Sequence, residues 1–91
     1  MRVTFDNAKS ERNEVERGLP FHRASEFDWS SALVLQDMRR DYGELRFQAI
    51  GFIEQRLHVL VFTARADALH VISLRRANRR ERSRYAAQAQ A

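Results

Sequence analysis

The sequence predicts an α+β domain: an antiparallel meander sheet of four to five strands, with two N-terminal helices and a C-terminal helix. Three observations predict it. Short apolar or alternating stretches at residues 32–35, 44–52, 57–63 and 71–74 have the length and the β-branched and aromatic content of strands. The connections between the last three are too short for the crossovers that parallel neighbours need, so these strands should pair antiparallel. Charged stretches carrying helix start and stop signals flank them, at residues 6–17 and after Asn78.

Residues 2–5 read as a short first strand, and Asp6 can cap the helix that follows. Residues 6–17 are charged almost throughout, with Ala8 and Val15 as the apolar positions, which predicts a surface helix with one narrow buried stripe. Gly18 stops it. After Leu19 and Pro20, Phe21, Ala24 and Phe27 recur at intervals of three and predict a second short helix with one apolar face. Trp29 is expected as a lid on the core. Residues 36–43 form a polar loop that holds Arg39, Arg40, Asp41 and Tyr42, the kind of exposed segment on which function concentrates. Residues 44–52 alternate as a half-exposed strand. Residues 57–63 are apolar on both faces and mark the central strand. After residues 71–74, Asn78 and Glu81 stand at capping-box spacing, so the last helix should begin near Arg79. Residues 86–91 are alanine and glutamine, helix-friendly with little to bury, and are expected to fray.

The 91 residues suit one domain with a single modest core. The absence of cysteine excludes disulfides, thiolate metal sites and cysteine nucleophiles, and it is compatible with a reducing compartment. No apolar run reaches the roughly 18 residues of a membrane helix, and residues 1–6 lack the apolar core of a signal peptide, so a cytoplasmic protein without membrane contact is expected. No His-x-x-x-His pair, clustered acid set or phosphate-binding glycine loop is present, and neither a metal nor a cofactor is expected.

The net charge is only +4, but its distribution is uneven. Acidic residues Glu11, Glu14, Glu16, Glu26 and Asp28 sit early, whereas Arg75, Arg76, Arg79, Arg80, Arg82 and Arg84 crowd the segment after the last strand with only Glu81 against them. Planar guanidinium forks at this density suit phosphate oxygens, and nucleic acid is the expected partner of this end. Arg79 and Arg80 occupy the first helical turn, where the helix dipole prefers anions, and a bound phosphate would relieve that conflict.

The order and spacing of several stretches resemble the BrnT toxin family. They are Phe5-Asp6-Asn7-Ala8-Lys9, Arg17-Gly18, Asp41-Tyr42-Gly43-Glu44-Leu45-Arg46, Ala49-Ile50-Gly51, residues 57–63 and residues 71–78. Where many members carry Lys-His-Gly after the first helix, this chain carries Glu16-Arg17-Gly18. The resemblance implies a RelE-like fold and the toxin of a type II toxin–antitoxin system, an endoribonuclease that halts translation. It also implies a cognate antitoxin, BrnA-like and of ribbon-helix-helix type, in a heterotetramer that reaches operator DNA only through the antitoxin.

RNA can be cut without a metal when a base takes the 2′-OH proton, a cation stabilises the phosphorane and an acid protonates the leaving 5′-oxygen. Glu44 is the candidate base, and Arg46, two residues on and on the same strand face, can hold the phosphate or simply bridge to a neighbouring acid. Arg75 and Arg76 point to opposite faces, with Arg75 favoured for the reacting centre. Arg76, Arg79, Arg80, Tyr42 and Lys9 are candidates for RNA and phosphate binding, Tyr42 by stacking. Tyr85 and His58 are candidate general acids; Tyr85 is otherwise a packing residue, and His58, like His70, a hydrogen-bonded strand histidine. A non-catalytic module that uses the same arginines only to hold nucleic acid remains the alternative.

Overall fold

The computed structural model describes residues 2–89. Its elements run β1 (Arg2–Phe5), α1 (Asn7–Arg17), a 3-10 helix (Phe21–Glu26), β2 (Leu33–Gln36), β3 (Phe47–Ile53), β4 (Arg56–Arg65), β5 (Ala68–Arg76) and α2 (Arg79–Ala89). β2 to β5 pair antiparallel in sequence order, with β4 at the centre as expected. β1 lies parallel to β5 on the far edge, so the sheet is mixed, in the order β1-β5-β4-β3-β2, and not a pure antiparallel meander. Short turns force antiparallel pairing only from β3 to β5; α1 and the 3-10 helix separate β1 from the next strand and leave its direction free.

The expectation of two N-terminal helices is corrected in the same region. Only α1 is an α-helix; the segment after Pro20 is a 3-10 helix, whose three residues per turn are the interval at which Phe21, Ala24 and Phe27 recur. These three side chains are buried against one sheet face with Leu19, Ala49, Ile53, Leu60, Leu69, Val71 and Leu74, the main core. Gly51 permits this packing, because a Cβ there would stand 2.6 Å from the Phe27 ring. Trp29 borders the core edge-to-face with Phe27 and Phe62, at centroid separations of 4.7 and 5.3 Å.

α1 contributes no apolar side chain to that core. Ala8 is exposed and Val15 is 87% exposed, so the predicted apolar stripe does not exist. The buried positions of α1 are polar. Ser10 Oγ accepts the Phe21 N–H at 2.8 Å, and Asn13 Nδ2 donates to the carbonyls of Leu19 and Leu74 at 2.7 and 2.8 Å. The helix is thus tied down by hydrogen bonds to backbone groups that would otherwise be unpaired. Its ends follow the sequence reading: Asp6 Oδ1 accepts the Lys9 N–H at 3.0 Å, and Gly18 takes the left-handed φ of 70° at the C-cap.

The opposite sheet face buries Ile50, Val59 and Val61, with Ala77, Leu33, Leu57, Ile72 and Tyr85 packed around them. α2 lies on this face, where Tyr85 packs. Tyr85 meets Phe52 edge-to-face at 5.7 Å and donates its hydroxyl to the Ser31 carbonyl at 2.9 Å. The capping box forms as read, Asn78 Oδ1 accepting the Glu81 N–H at 2.9 Å and Glu81 Oε1 the Asn78 N–H at 2.8 Å. The helix continues through Ala86 to Ala89; Gln90 and Ala91, also expected to fray, lie outside the described residues.

Candidate active site

The segment between β2 and β3 is organised by one buried carboxylate. The Asp37 side chain is 1% exposed and accepts Arg39 Nε and Nη2 at 2.8 and 2.7 Å, the Arg39 N–H at 3.2 Å and the Tyr42 hydroxyl at 3.3 Å. The Arg39 hydrogen bonds hold its pKa down to about 2. Farther along, Asp41 Oδ1 accepts the Gly43 N–H at 2.9 Å and Gly43 adopts a φ of 72°. This turn keeps Glu44 out of the sheet. β3 starts at Phe47, later than the sequence alternation implied, and Leu45 is 62% exposed.

Glu44 lies at the end of that turn between two arginines. Its carboxylate accepts Arg46 Nε at 3.4 Å and Arg65 Nη2 at 3.3 Å, and the Arg65 hydrogen bond is the main reason its pKa is lowered. About a quarter of the Glu44 and Arg46 side chains remains exposed, so the pair is open to a ligand. The Arg46 guanidinium also covers the Tyr42 ring, 4.1 Å from its centroid, with Arg40 at 6.0 Å. Tyr42 is therefore clamped at both ends, by Asp37 at its hydroxyl and by Arg46 at its ring.

A row of contacts crosses the sheet from this point. The Thr63 hydroxyl donates to the Leu45 carbonyl, Thr63 is registered opposite His70, and His70 opposite Thr4. Thr4 Oγ1 and His70 Nδ1 are hydrogen-bonded at 2.9 Å. A hydroxyl can donate or accept, so this bond survives protonation of the ring. Burial lowers the His70 pKa, Arg65 and Lys9 lower it further, and Glu44 and Asp6 oppose them. Lys9, Arg65, Glu44 and His70 thus share one electrostatic neighbourhood.

The other predicted residues lie elsewhere. Arg75 faces α2 and is held bidentate by Glu81, with Nη1 and Nη2 both at 2.7 Å from its oxygens. The structure does not bring it to Glu44, whose charged neighbours are Arg65 and Arg46. Arg80 lines a groove of about 370 Å³ with Arg84, Arg39, Gln48 and Glu81, and Arg79 is exposed beside it in the first turn of α2. Arg76 and His58 face the opposite side of the sheet, and Tyr85 is engaged in packing. Sequence reading passed over Arg65, which had no motif to mark it, and left His70 as one of two unresolved strand histidines. The register that sets them beside Glu44 follows from the β4–β5 hairpin.

A comparison with known families decides what kind of protein carries this site. Residues 5–81 match the model of the ribonuclease toxin BrnT of type II toxin–antitoxin systems. The chain belongs to the BrnT family. Membership makes it a ribonuclease toxin, with RNA as substrate and a cognate antitoxin as partner. The matched residues include the last residue of β1, the whole of β2 to β5 and the capping box that starts α2. No curated protein matches the chain. Among the described residues, no helix is long and apolar enough to cross a membrane, and no three His, Asp or Glu side chains group as metal ligands.

Proposed function

We propose that this BrnT-family chain cleaves RNA by a metal-independent transesterification centred on Glu44. The observation that carries the reading is an accessible carboxylate held ionised between Arg46 and Arg65, with a histidine in the same electrostatic neighbourhood. Glu44 takes the proton of a ribose 2′-OH. The 2′-oxygen attacks the adjacent phosphorus, and Arg46 and Arg65 exchange part of their interaction with Glu44 for the phosphorane oxygens as the carboxylate loses its charge. His70 gives a proton to the departing 5′-oxygen. The products are a 2′,3′-cyclic phosphate and a 5′-hydroxyl, and no oxidant or metal enters the balance.

The groove lined by Arg39, Arg80 and Arg84 supports the path of the flanking strand, and Lys9 adds positive charge near His70. In this reading Arg75 acts on RNA only through α2, by fixing the helix that presents Arg80 and Arg84. The cleavage inhibits translation. A BrnA-like ribbon-helix-helix antitoxin neutralises it, forms a heterotetramer with it and supplies the operator contacts.

Incubation of a long RNA with the chain in EDTA, beside a Glu44→Gln variant, tests the proposal. Cleavage in EDTA to cyclic-phosphate ends, falling by about 10²–10⁴ in the variant while RNA is still bound, is the expected result. RNA bound by the wild type and left intact would overturn it in favour of a non-catalytic arginine-rich module.

A further inference from the structure

A cavity lies away from Glu44, where the C-terminus of α1, the 3-10 helix, the β3–β4 turn and the end of β5 converge. It measures about 570 Å³ and is open to solvent, and it is lined by the charged Arg17, Arg23, Arg56, Arg76 and Glu54 together with His58. Of the four arginines, only Arg23 has carboxylate partners among the described residues, Glu26 at 3.0 Å and Glu54 at 3.4 Å. Arg17 donates to the neutral Asn13 amide at 2.8 Å. Arg56 and Arg76 have no carboxylate within 4.0 Å among the described residues.

His58 forms the floor. It is registered opposite Arg76 across β4 and β5, is only 4% exposed, and has Nδ1 at 2.8 Å from the Arg56 carbonyl. A carbonyl cannot donate, so Nδ1 carries the proton, and in the neutral ring Nε2 is a bare acceptor. No side-chain nitrogen or oxygen among the described residues is both buried and unpartnered, so Nε2, which has no partner, meets the cavity. Burial lowers the His58 pKa first, and Arg76, Arg23 and Arg56 lower it further against the support of the Arg56 carbonyl. The cavity therefore gathers cations around an imidazole that they keep neutral.

We infer that this cavity is a second anion site, which takes a phosphate group between Arg56 and Arg76 with His58 Nε2–H as a third donor once the ring is protonated. Two guanidinium forks and an imidazolium can share the three free oxygens of inorganic phosphate or a phosphate monoester, and the two forks alone can hold the two free oxygens of a phosphodiester. Binding would cancel the repulsion that opposes protonation of His58, so phosphate and a proton would be taken up together. The phosphate can come from solution or from a nucleic-acid strand that passes the edge of the sheet. The site does not depend on the cleavage proposed above.

A pH titration of the His58 ring by carbon-13-detected NMR tests this on the whole chain. Three conditions are compared at equal ionic strength: chloride, inorganic phosphate, and a 2′-deoxy oligonucleotide that cannot be cleaved. Phosphate should raise the His58 midpoint by about one unit over chloride, in line with the shift a nearby opposite charge produces, and Arg76→Gln should abolish the rise. Arg56→Gln serves the same purpose if Arg76→Gln fails to fold by its amide fingerprint. A rise with phosphate alone assigns the site to a mobile anion, and a rise with the oligonucleotide as well assigns it to a strand. Equal midpoints in all three conditions, or a rise that persists in both Arg76→Gln and Arg56→Gln, would overturn the inference.

Discussion

Arg75 and Arg76, neighbours on β5, are used in opposite ways on the two faces of the sheet. On the α2 side and in the segment before β3, guanidinium groups sit against carboxylates: Arg75 on Glu81, Arg39 on Asp37, and Arg46 and Arg65 on Glu44. On the main-core side, Arg56 and Arg76 face a cavity with no acid partner among the described residues. The contrast begins with a single pleat, since adjacent residues on a strand point to opposite faces and Arg75 and Arg76 are adjacent. Two adjacent arginines are thus divided between an ion pair that orders the chain and a cavity open to a ligand, although the division is not one of faces alone, since Arg23 in that cavity is paired and Arg80 and Arg84 beside Arg75 line an open groove. Glu44 stands between the two cases, because its ion pairs are long, at 3.3–3.4 Å, and partly exposed. A phosphate can displace them more readily than it could the 2.7 Å pairs at Asp37 and Glu81.

After the loss expected for Glu44→Gln, the next largest effect on the paired side is in the pH dependence of cleavage. His70 as general acid must be protonated, and burial with Arg65 holds its pKa below the usual 6.5. Its protonated form is lost as pH rises through that lowered value, whereas Glu44, with its pKa lowered by Arg65, is already ionised there. The kcat/KM profile should therefore fall with rising pH along a limb below 6.5, and His70→Gln should remove the limb and cost about 10²-fold. A limb that persists in His70→Gln would move the acid elsewhere.

On the main-core side, Asn13→Ala should cost about 2 kcal/mol in urea unfolding, because it strands the carbonyls of Leu19 and Leu74 and frees Arg17. An effect near zero would mean that α1 is held by something other than these bonds, and the wall of the arginine cavity would lose its explanation.

What the sequence made legible follows from how local the cause is. Asp6, Gly18, Asn78 and Glu81 act within a few residues, and their caps form as read. The interval of three among Phe21, Ala24 and Phe27 was visible, though it signified a 3-10 turn. β1 joined β5 in parallel because a strand with a long connection carries no local sign of its direction. Val15 misled because apolar residues on a helix normally face inward, whereas the buried side of α1 is built from Ser10 and Asn13, whose polar atoms find backbone partners only in the folded chain. The Glu44–Arg46 contact forms as anticipated, although both residues precede β3 and the shared strand face on which it was expected is absent. Arg65 and His70 were not legible, since only the pairing of β4 with β5 brings them near. Arg75 shows the limit of reading charge density, because Glu81, counted as the lone opponent of six arginines, is the residue that claims it.

The smallest predicted effect tests that last assignment. With side chains 31% and 14% exposed, Arg75 and Glu81 are neither a solvated pair, which would be worth a few tenths of a kcal/mol, nor a fully desolvated one. Their bidentate geometry and the second role of Glu81 in the capping box place the coupling at about 1 kcal/mol. A double-mutant cycle with Arg75→Gln and Glu81→Gln in urea unfolding measures it directly, since each single variant leaves the other charge partly stranded and the double variant does not. The cleavage rate of Arg75→Gln, taken under conditions where the variant is fully folded, should fall by less than the loss expected for His70→Gln. A coupling near zero together with a hundredfold loss of cleavage would return Arg75 to the reacting centre. The division between arginines that order the chain and arginines that meet a ligand would then fail on the face where it is drawn most sharply.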